Sequence, residues 1–185
     1  MVIYGGIIIM KIKQQKNIKA FLNEEFGEKR GNDLFNKQEA MLNELIKNTQ
    51  NKSKNQMKTL IQTILPRIAM YKILSKEEVS EDEVYQYMRK YMIDKIAVKK
   101  HASTAKMRTT DLQESVQKHG KDYFDVTIKK CLWHTACVEN DCEKLCHLFC
   151  DVDNVTYGGL KKIGFSRTKT LGYGGDCCDF HFYKK

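Results

Sequence analysis

Apolar residues in this chain recur with a helical period as far as Ile96 and then, from Tyr123 on, with a period of two. That single switch constrains the fold most, because a helix-period segment cannot bury itself as a strand, nor the reverse. In the first part, Ile18, Phe21, Leu22 and Phe26, followed by Leu34, Phe35, Met41, Leu42, Leu45 and Ile46, suit two amphipathic helices split near Gly31. Leu60, Ile61, Ile64, Leu65, Ile68, Ala69 and Tyr71 make a stretch apolar on enough sides to be a buried helix. Pro66 either kinks it or sits in the first turn of a fresh one. Ser80 and Glu83 have capping-box spacing ahead of Val84, Tyr87, Met88, Tyr91, Met92 and Ile96, with Ser75 and Glu78 as a competing start. From Lys99 to Gly120 the chain is polar, with no readable period.

After the switch, Phe124, Val126 and Ile128 alternate with Asp125, Thr127 and Lys129 as in a half-buried strand. Ile163 to Leu171 reads as a second strand and Cys178 to Tyr183 as a third, joined through Gly172 to Asp176 as an antiparallel hairpin. Residues 140–160 read as mainly helical. The expected class is α+β, with N-terminal helices followed by a small, mainly antiparallel sheet carrying packed helices. One domain over residues 1–185 is expected, with a mainly helical part to 122 and a cysteine-rich part from 123, since one proline and no Gly/Ser-rich linker give no boundary.

The net charge of +9 raises the question of nucleic acid. Residues 11–60 hold 11 Lys and Arg against 6 Asp and Glu, in a helical, Asn- and Gln-rich context without interleaved aromatics. That pattern is a solvated face, so no nucleic-acid partner is expected. The apolar opening run, Met1 to Met10, is shorter than the ~20 residues a spanning helix needs and is interrupted by Gly5-Gly6. It reads as a strand or a loosely ordered terminus, and no membrane partner is expected. All seven cysteines lie between Cys131 and Cys178, an odd count that reads as reduced thiols in a cytoplasmic protein. A homo-oligomer is compatible with these residues but not indicated by them.

Three constellations carry reactive groups. Cys137, Cys142, Cys146 and Cys150, interspersed with His134 and His147, have spacings of five, four and four, unlike the paired knuckles of structural zinc sites. No cofactor is expected, with zinc as the alternative because Cys146 and Cys150 share a helix face. In Cys150-Asp-Val-Asp153, a thiol neighbours two carboxylates, and Asp153 lies on the Cys150 face of a helix. Nucleophile and base is one reading of that pair, a helix end with two solvated aspartates the other. In the last strand Cys178, Phe180 and Phe182 point one way and Asp179, His181 and Tyr183 the other. Arg167, in a strand bearing Ile163 and Phe165, calls for an anion, either an internal aspartate or a substrate carboxylate.

Leu65-Pro-Arg-Ile-Ala-Met-Tyr71, Cys131 after a strand, Phe149-Cys-Asp-Val-Asp153, Phe165-Ser-Arg-Thr-Lys-Thr-Leu171, Gly174-Gly175 and Cys178-Asp-Phe180 resemble the L-2-amino-thiazoline-4-carboxylic acid hydrolases, most strongly over residues 123–182. The resemblance implies ring opening of a cyclic isothiourea, 2-amino-Δ²-thiazoline-4-carboxylate, to N-carbamoyl-L-cysteine, a step in bacterial cysteine formation. On that reading Cys150 or Cys178 attacks as a thiolate, in preference to a water activated by Asp151 or Asp153, either of which could instead bind the amidine. Arg167, with Thr168, Thr170, Cys131 and His134, would bind the substrate. More distantly the arrangement is similar to vinyl-reductase-type and TRAPP-type ligand-binding domains. Some of those hold zinc, but Arg167 and Thr170 stand where such ligands would be expected. A noncatalytic small-molecule-binding or sensor module is the competing class.

Overall fold

The computed structural model describes residues 3–4, 7–8, 12–94 and 111–185, so Ile96 and most of the polar stretch that opens at Lys99 lie outside the described residues. The chain divides into two compact units, residues 1–80 and 81–185.

In the first unit, strands β1 (Ile3–Tyr4) and β2 (Ile7–Ile8) pair antiparallel. Helices α1 (Lys13–Phe26) and α2 (Glu28–Asn48) follow, then α3 (Lys54–Thr59), a π-helical turn at Leu60–Ile64, and α4 (Leu65–Leu74). The break between α1 and α2 falls at Gly27, whose φ of 77° suits glycine, and not at Gly31. Gly31 instead lies inside α2, where an added Cβ would meet the Asn23 backbone at 2.6 Å; it serves close helix approach. Pro66 stands in the first turn of α4. Having no N–H, it cannot continue the ladder from the preceding turn, and the backbone widens there into the π geometry. Ile18, Leu22, Leu34, Ile64, Ile68 and Leu74 are fully buried among these helices. Gln38, also fully buried, donates to the Pro66 carbonyl at 3.0 Å and exchanges hydrogen bonds with Gln15.

The second unit begins with α5 (Glu81–Arg89), directly after Ser80 as the capping-box spacing predicts, and a π-helical turn at Lys90–Asp94. Strands β3 (Gln113–His119) and β4 (Tyr123–Cys131), helices α6 (Leu132–Val138) and α7 (Glu143–Gly158), and strands β5 (Ile163–Ser166) and β6 (Cys178–Lys184) complete it. The sheet is antiparallel throughout, in the order β3-β4-β6-β5. Its inner face carries Val126, Ile128, Cys178, Phe180 and Phe182, against which Tyr157 of α7 packs edge-on. This is the expected α+β architecture.

Two strands differ from expectation. β3 carries no readable period because its outer positions are Glu114, Val116 and Lys118 and its inner ones are polar too; Val116 is 58% exposed. β5 stops at Ser166 rather than running to Leu171. The reason is Asp179, whose carboxylate accepts from the Thr168 amide at 2.9 Å, the Lys169 amide at 2.8 Å and the Thr168 hydroxyl at 2.5 Å. The chain leaves the ladder there and returns through a short 3₁₀ turn, Leu171–Tyr173, so the connection between β5 and β6 is longer than a tight hairpin.

Candidate active site

The end of β5 and the middle of α7 meet at Arg167. Its side chain is only 7% exposed, Nη2 donates to the Cys150 carbonyl at 2.8 Å, and Nη1 lies 3.9 Å from Asp153 Oδ2. The guanidinium also sits over the Phe180 ring, 5.7 Å from its centroid. Nη1 is buried without a hydrogen-bond acceptor, an arrangement that costs free energy unless something fills it. Cys150 and Asp153 reach this point together because three residues of helix bring side chains to one face.

Asp153 keeps 35% of its side-chain surface exposed. Burial raises its carboxyl to about 7, with Arg167 opposing the rise and a thiolate at Cys146 adding to it. A carboxyl there exchanges its proton near neutrality, as a general base requires.

The thiols form a second layer. Cys146 is buried, with its Sγ and that of Cys150 both turned to Gly172 and the Cys137 thiol nearby. Cys137 and Cys150, as donors, hold the Cys146 thiol well below the usual range, burial opposing and the charges of His134 and His147 assisting. Cys137 and Cys150 are pushed up in turn, first because each donates to a neighbouring sulfur and then by burial. The cluster therefore carries one negative charge more readily than two. The Thr170 hydroxyl donates to Cys150 Sγ at 3.4 Å, and the Leu171 amide donates to Cys178 Sγ at 3.4 Å. Burial pushes Cys178 up despite that amide and Arg167. Cys131, at the end of β4, is raised by burial to about 12.

Gly172 closes the layer. A Cβ built on it would lie 2.7 Å from Cys150 Sγ, 3.1 Å from Cys146 Sγ and 3.3 Å from the Cys146 carbonyl. Gly172→Ala is therefore expected to destabilise the chain by about 1–3 kcal/mol through overpacking. Urea unfolding checks this, and an unchanged midpoint would show that the turn yields freely.

Arg167, Cys150, Asp153, Thr170 and Cys178 thus lie together. Asp151 does not join them: it points to another flank of α7, accepting from the Tyr173 hydroxyl at 3.0 Å, and His147 stacks on the Tyr173 ring at 4.2 Å. Thr168 faces outward onto Asp179. Cys131 and His134 sit at the β4–α6 junction, behind the thiols. Cys146, named in the sequence as one of four spaced cysteines, is buried beside Leu145 and Leu148. Among the described residues no group of three or more His, Cys, Asp or Glu side chains is arranged to hold a metal ion. Nor is any helix among them long and apolar enough to cross a membrane.

A buried arginine, a carboxyl raised by burial and several buried thiols meet here on an α+β frame. The chain belongs to the L-2-amino-thiazoline-4-carboxylic acid hydrolase family, whose model matches residues 37–182. No curated protein and no solved structure matches it.

Proposed function

We propose that the chain hydrolyses a cyclic amidine bearing a carboxylate, namely 2-amino-Δ²-thiazoline-4-carboxylate, to N-carbamoyl-L-cysteine. The observation that carries this reading is the buried Arg167 Nη1 with no hydrogen-bond acceptor, beside a carboxyl raised to about 7. A substrate carboxylate supplies the missing acceptor and a counter-charge in one contact. Membership of the family adds the reaction class.

In this mechanism Arg167 anchors the carboxylate and Asp153 takes a proton from water. The water oxygen bonds to the carbon between sulfur and nitrogen, the carbon–sulfur bond breaks, and the departing sulfur takes up a proton. The product is an open urea with a free thiol. Water is preferred to a cysteine as the attacking group because both Cys150 and Cys178 are held protonated by their surroundings.

The test is release of free thiol from the thiazoline by purified protein, with Cys150→Ala and Cys178→Ala alongside. Turnover by all three, the variants within about tenfold of the parent, is the expected result. Loss of a hundredfold or more in either variant at unchanged fold would replace the water route by covalent catalysis, and no turnover by any of them, with binding retained, would favour the sensor reading.

A further inference from the structure

We propose that Ser166, His181 and Asp125 form a second hydrolytic site, for small carboxylic esters, on the outer face of the sheet. Arg167 belongs to the other side, where its guanidinium lies over the inner-face ring of Phe180. Strand register sets the three side chains in one row across β5, β6 and β4, since Ser166 pairs with His181 and His181 with Asp125. All three occupy outer positions, because the residues flanking them in their strands, Phe165, Phe180, Phe182, Phe124 and Val126, face inward.

The imidazole is oriented from two sides. Asp125 Oδ1 lies 2.6 Å from His181 Nδ1, and because a carboxylate only accepts, Nδ1 is the donor and Nε2 keeps its lone pair. The Tyr183 ring covers Gly164, where any larger residue would collide with it, and stacks on the imidazole at 5.5 Å and 24°. An imidazole stacked on its neighbour along the strand lies crosswise to that strand, so its two nitrogens point toward the two adjoining strands. With Nδ1 turned to β4, Nε2 faces β5, and Ser166 is the residue opposite.

Side chains directly opposite in an antiparallel pair have Cβ atoms about 5 Å apart, a span that a serine hydroxyl closes by rotating about its Cα–Cβ bond. The Ser166 hydroxyl is at liberty to do so: it is exposed at the end of β5 and has no hydrogen-bond partner among the described residues. On the flank of the imidazole away from Tyr183, Asp179, Thr127, Val116 and Lys118 line a cavity of about 250 Å³ with the dyad. Drug-sized ligands need roughly 300–1,000 Å³, so only a short acyl chain or a small alcohol fits.

The Ser166 oxygen bonds to the ester carbonyl carbon as its proton passes to His181 Nε2. The carbon–oxygen bond to the alcohol breaks, and the alcohol leaves with that proton. Water then attacks the acyl-serine and gives a proton to Nε2; the bond from carbon to Oγ breaks, Ser166 recovers the proton, and a carboxylic acid departs. Asp125 holds the imidazole in the required tautomer throughout and is not itself protonated.

Trypsin isolates the proposed nucleophile, because cleavage after Lys162 and Arg167 releases residues 163–167, in which Ser166 carries the one hydroxyl. Full-length protein is incubated with diisopropyl fluorophosphate, which labels activated serines, then digested and mapped by mass spectrometry. The expected result is an adduct on 163–167, formed at least about tenfold more slowly in Asp125→Asn and in His181→Ala. Steady turnover of p-nitrophenyl acetate should also fall at least about tenfold in Ser166→Ala. No adduct on 163–167, an adduct elsewhere only, labelling of Asp125→Asn at the parental rate, or equal turnover by Ser166→Ala would each overturn the proposal. Should His181→Ala fail to fold by circular dichroism, the parent map and Asp125→Asn, which keeps the side-chain volume, decide the matter.

Discussion

Arg167→Met is expected to lower kcat/KM for the thiazoline carboxylate by roughly a hundredfold or more, with a large share of the loss in KM. The side chain is 7% exposed, donates to the Cys150 carbonyl and lies 3.9 Å from the Asp153 carboxylate. Methionine matches its length but donates nothing. Truncating one member of a buried charged pair costs about 2–5 kcal/mol, which spans a hundredfold in rate. Arg167→Lys is expected to rescue little, because an ammonium is a point charge and cannot serve a carbonyl and a carboxylate with a planar fork. Loss of Arg167 also removes the one charge that lowers the Asp153 carboxyl, so residual activity should need higher pH. Steady-state kinetics across pH check both statements. A variant with unchanged KM and an unchanged profile would place the substrate carboxylate elsewhere.

Asp153→Asn has the second large effect, and it acts in opposite directions on activity and stability. Removing a general base costs about 10²–10⁴ in kcat. In the parent, kcat/KM should rise with pH through about 7 as Asp153 loses its proton, and the variant should lack that limb. The folded carboxyl titrates at about 7 against 3.8 for the free group. Between those values the folded chain holds a proton that the unfolded chain has released. Stability from this group is therefore greatest below pH 4, falls as pH rises to 7, and is flat above. Asparagine mimics the neutral form at every pH. The variant should melt higher than the parent at pH 8 and show little difference at pH 4. A variant that melts lower at pH 8 would mean that ionised Asp153 stabilises the fold, contrary to its raised carboxyl.

What the sequence made legible follows from where its signals are local. β4 and β6 alternate strictly because one face meets Tyr157 and the other meets solvent, so the facing of their side chains, Cys178 included, could be read directly, though not their register with each other. β3 could not, being polar on both faces with Val116 turned outward. The early end of β5 depends on Asp179, a residue of β6 that captures amides ten and eleven positions away, and no local pattern encodes that capture. Gly27 and Gly31 are alike in sequence, but only the tertiary approach of α1 to α2 decides which one breaks the helix.

The site divides the same way. Asp151 and Asp153 are near neighbours in sequence, yet two residues of helix turn side chains by about 200°, sending one to Tyr173 and the other to Arg167. Cys150 and Asp153, three apart, share a face and were readable as a pair. Cys146 was legible as one of four spaced cysteines, but its full burial depends on the packing around α7.

The central claim is that a substrate carboxylate occupies the unmet valence of Arg167 while the ring is opened. It is tested most directly by comparing the parent chain on 2-amino-Δ²-thiazoline-4-carboxylate and on the same ring lacking the carboxylate, following thiol release. A preference of at least about a hundredfold for the carboxylate, collapsing in Arg167→Met, is the expected result. Equal turnover of the two rings, or a preference that survives loss of Arg167, would contradict it.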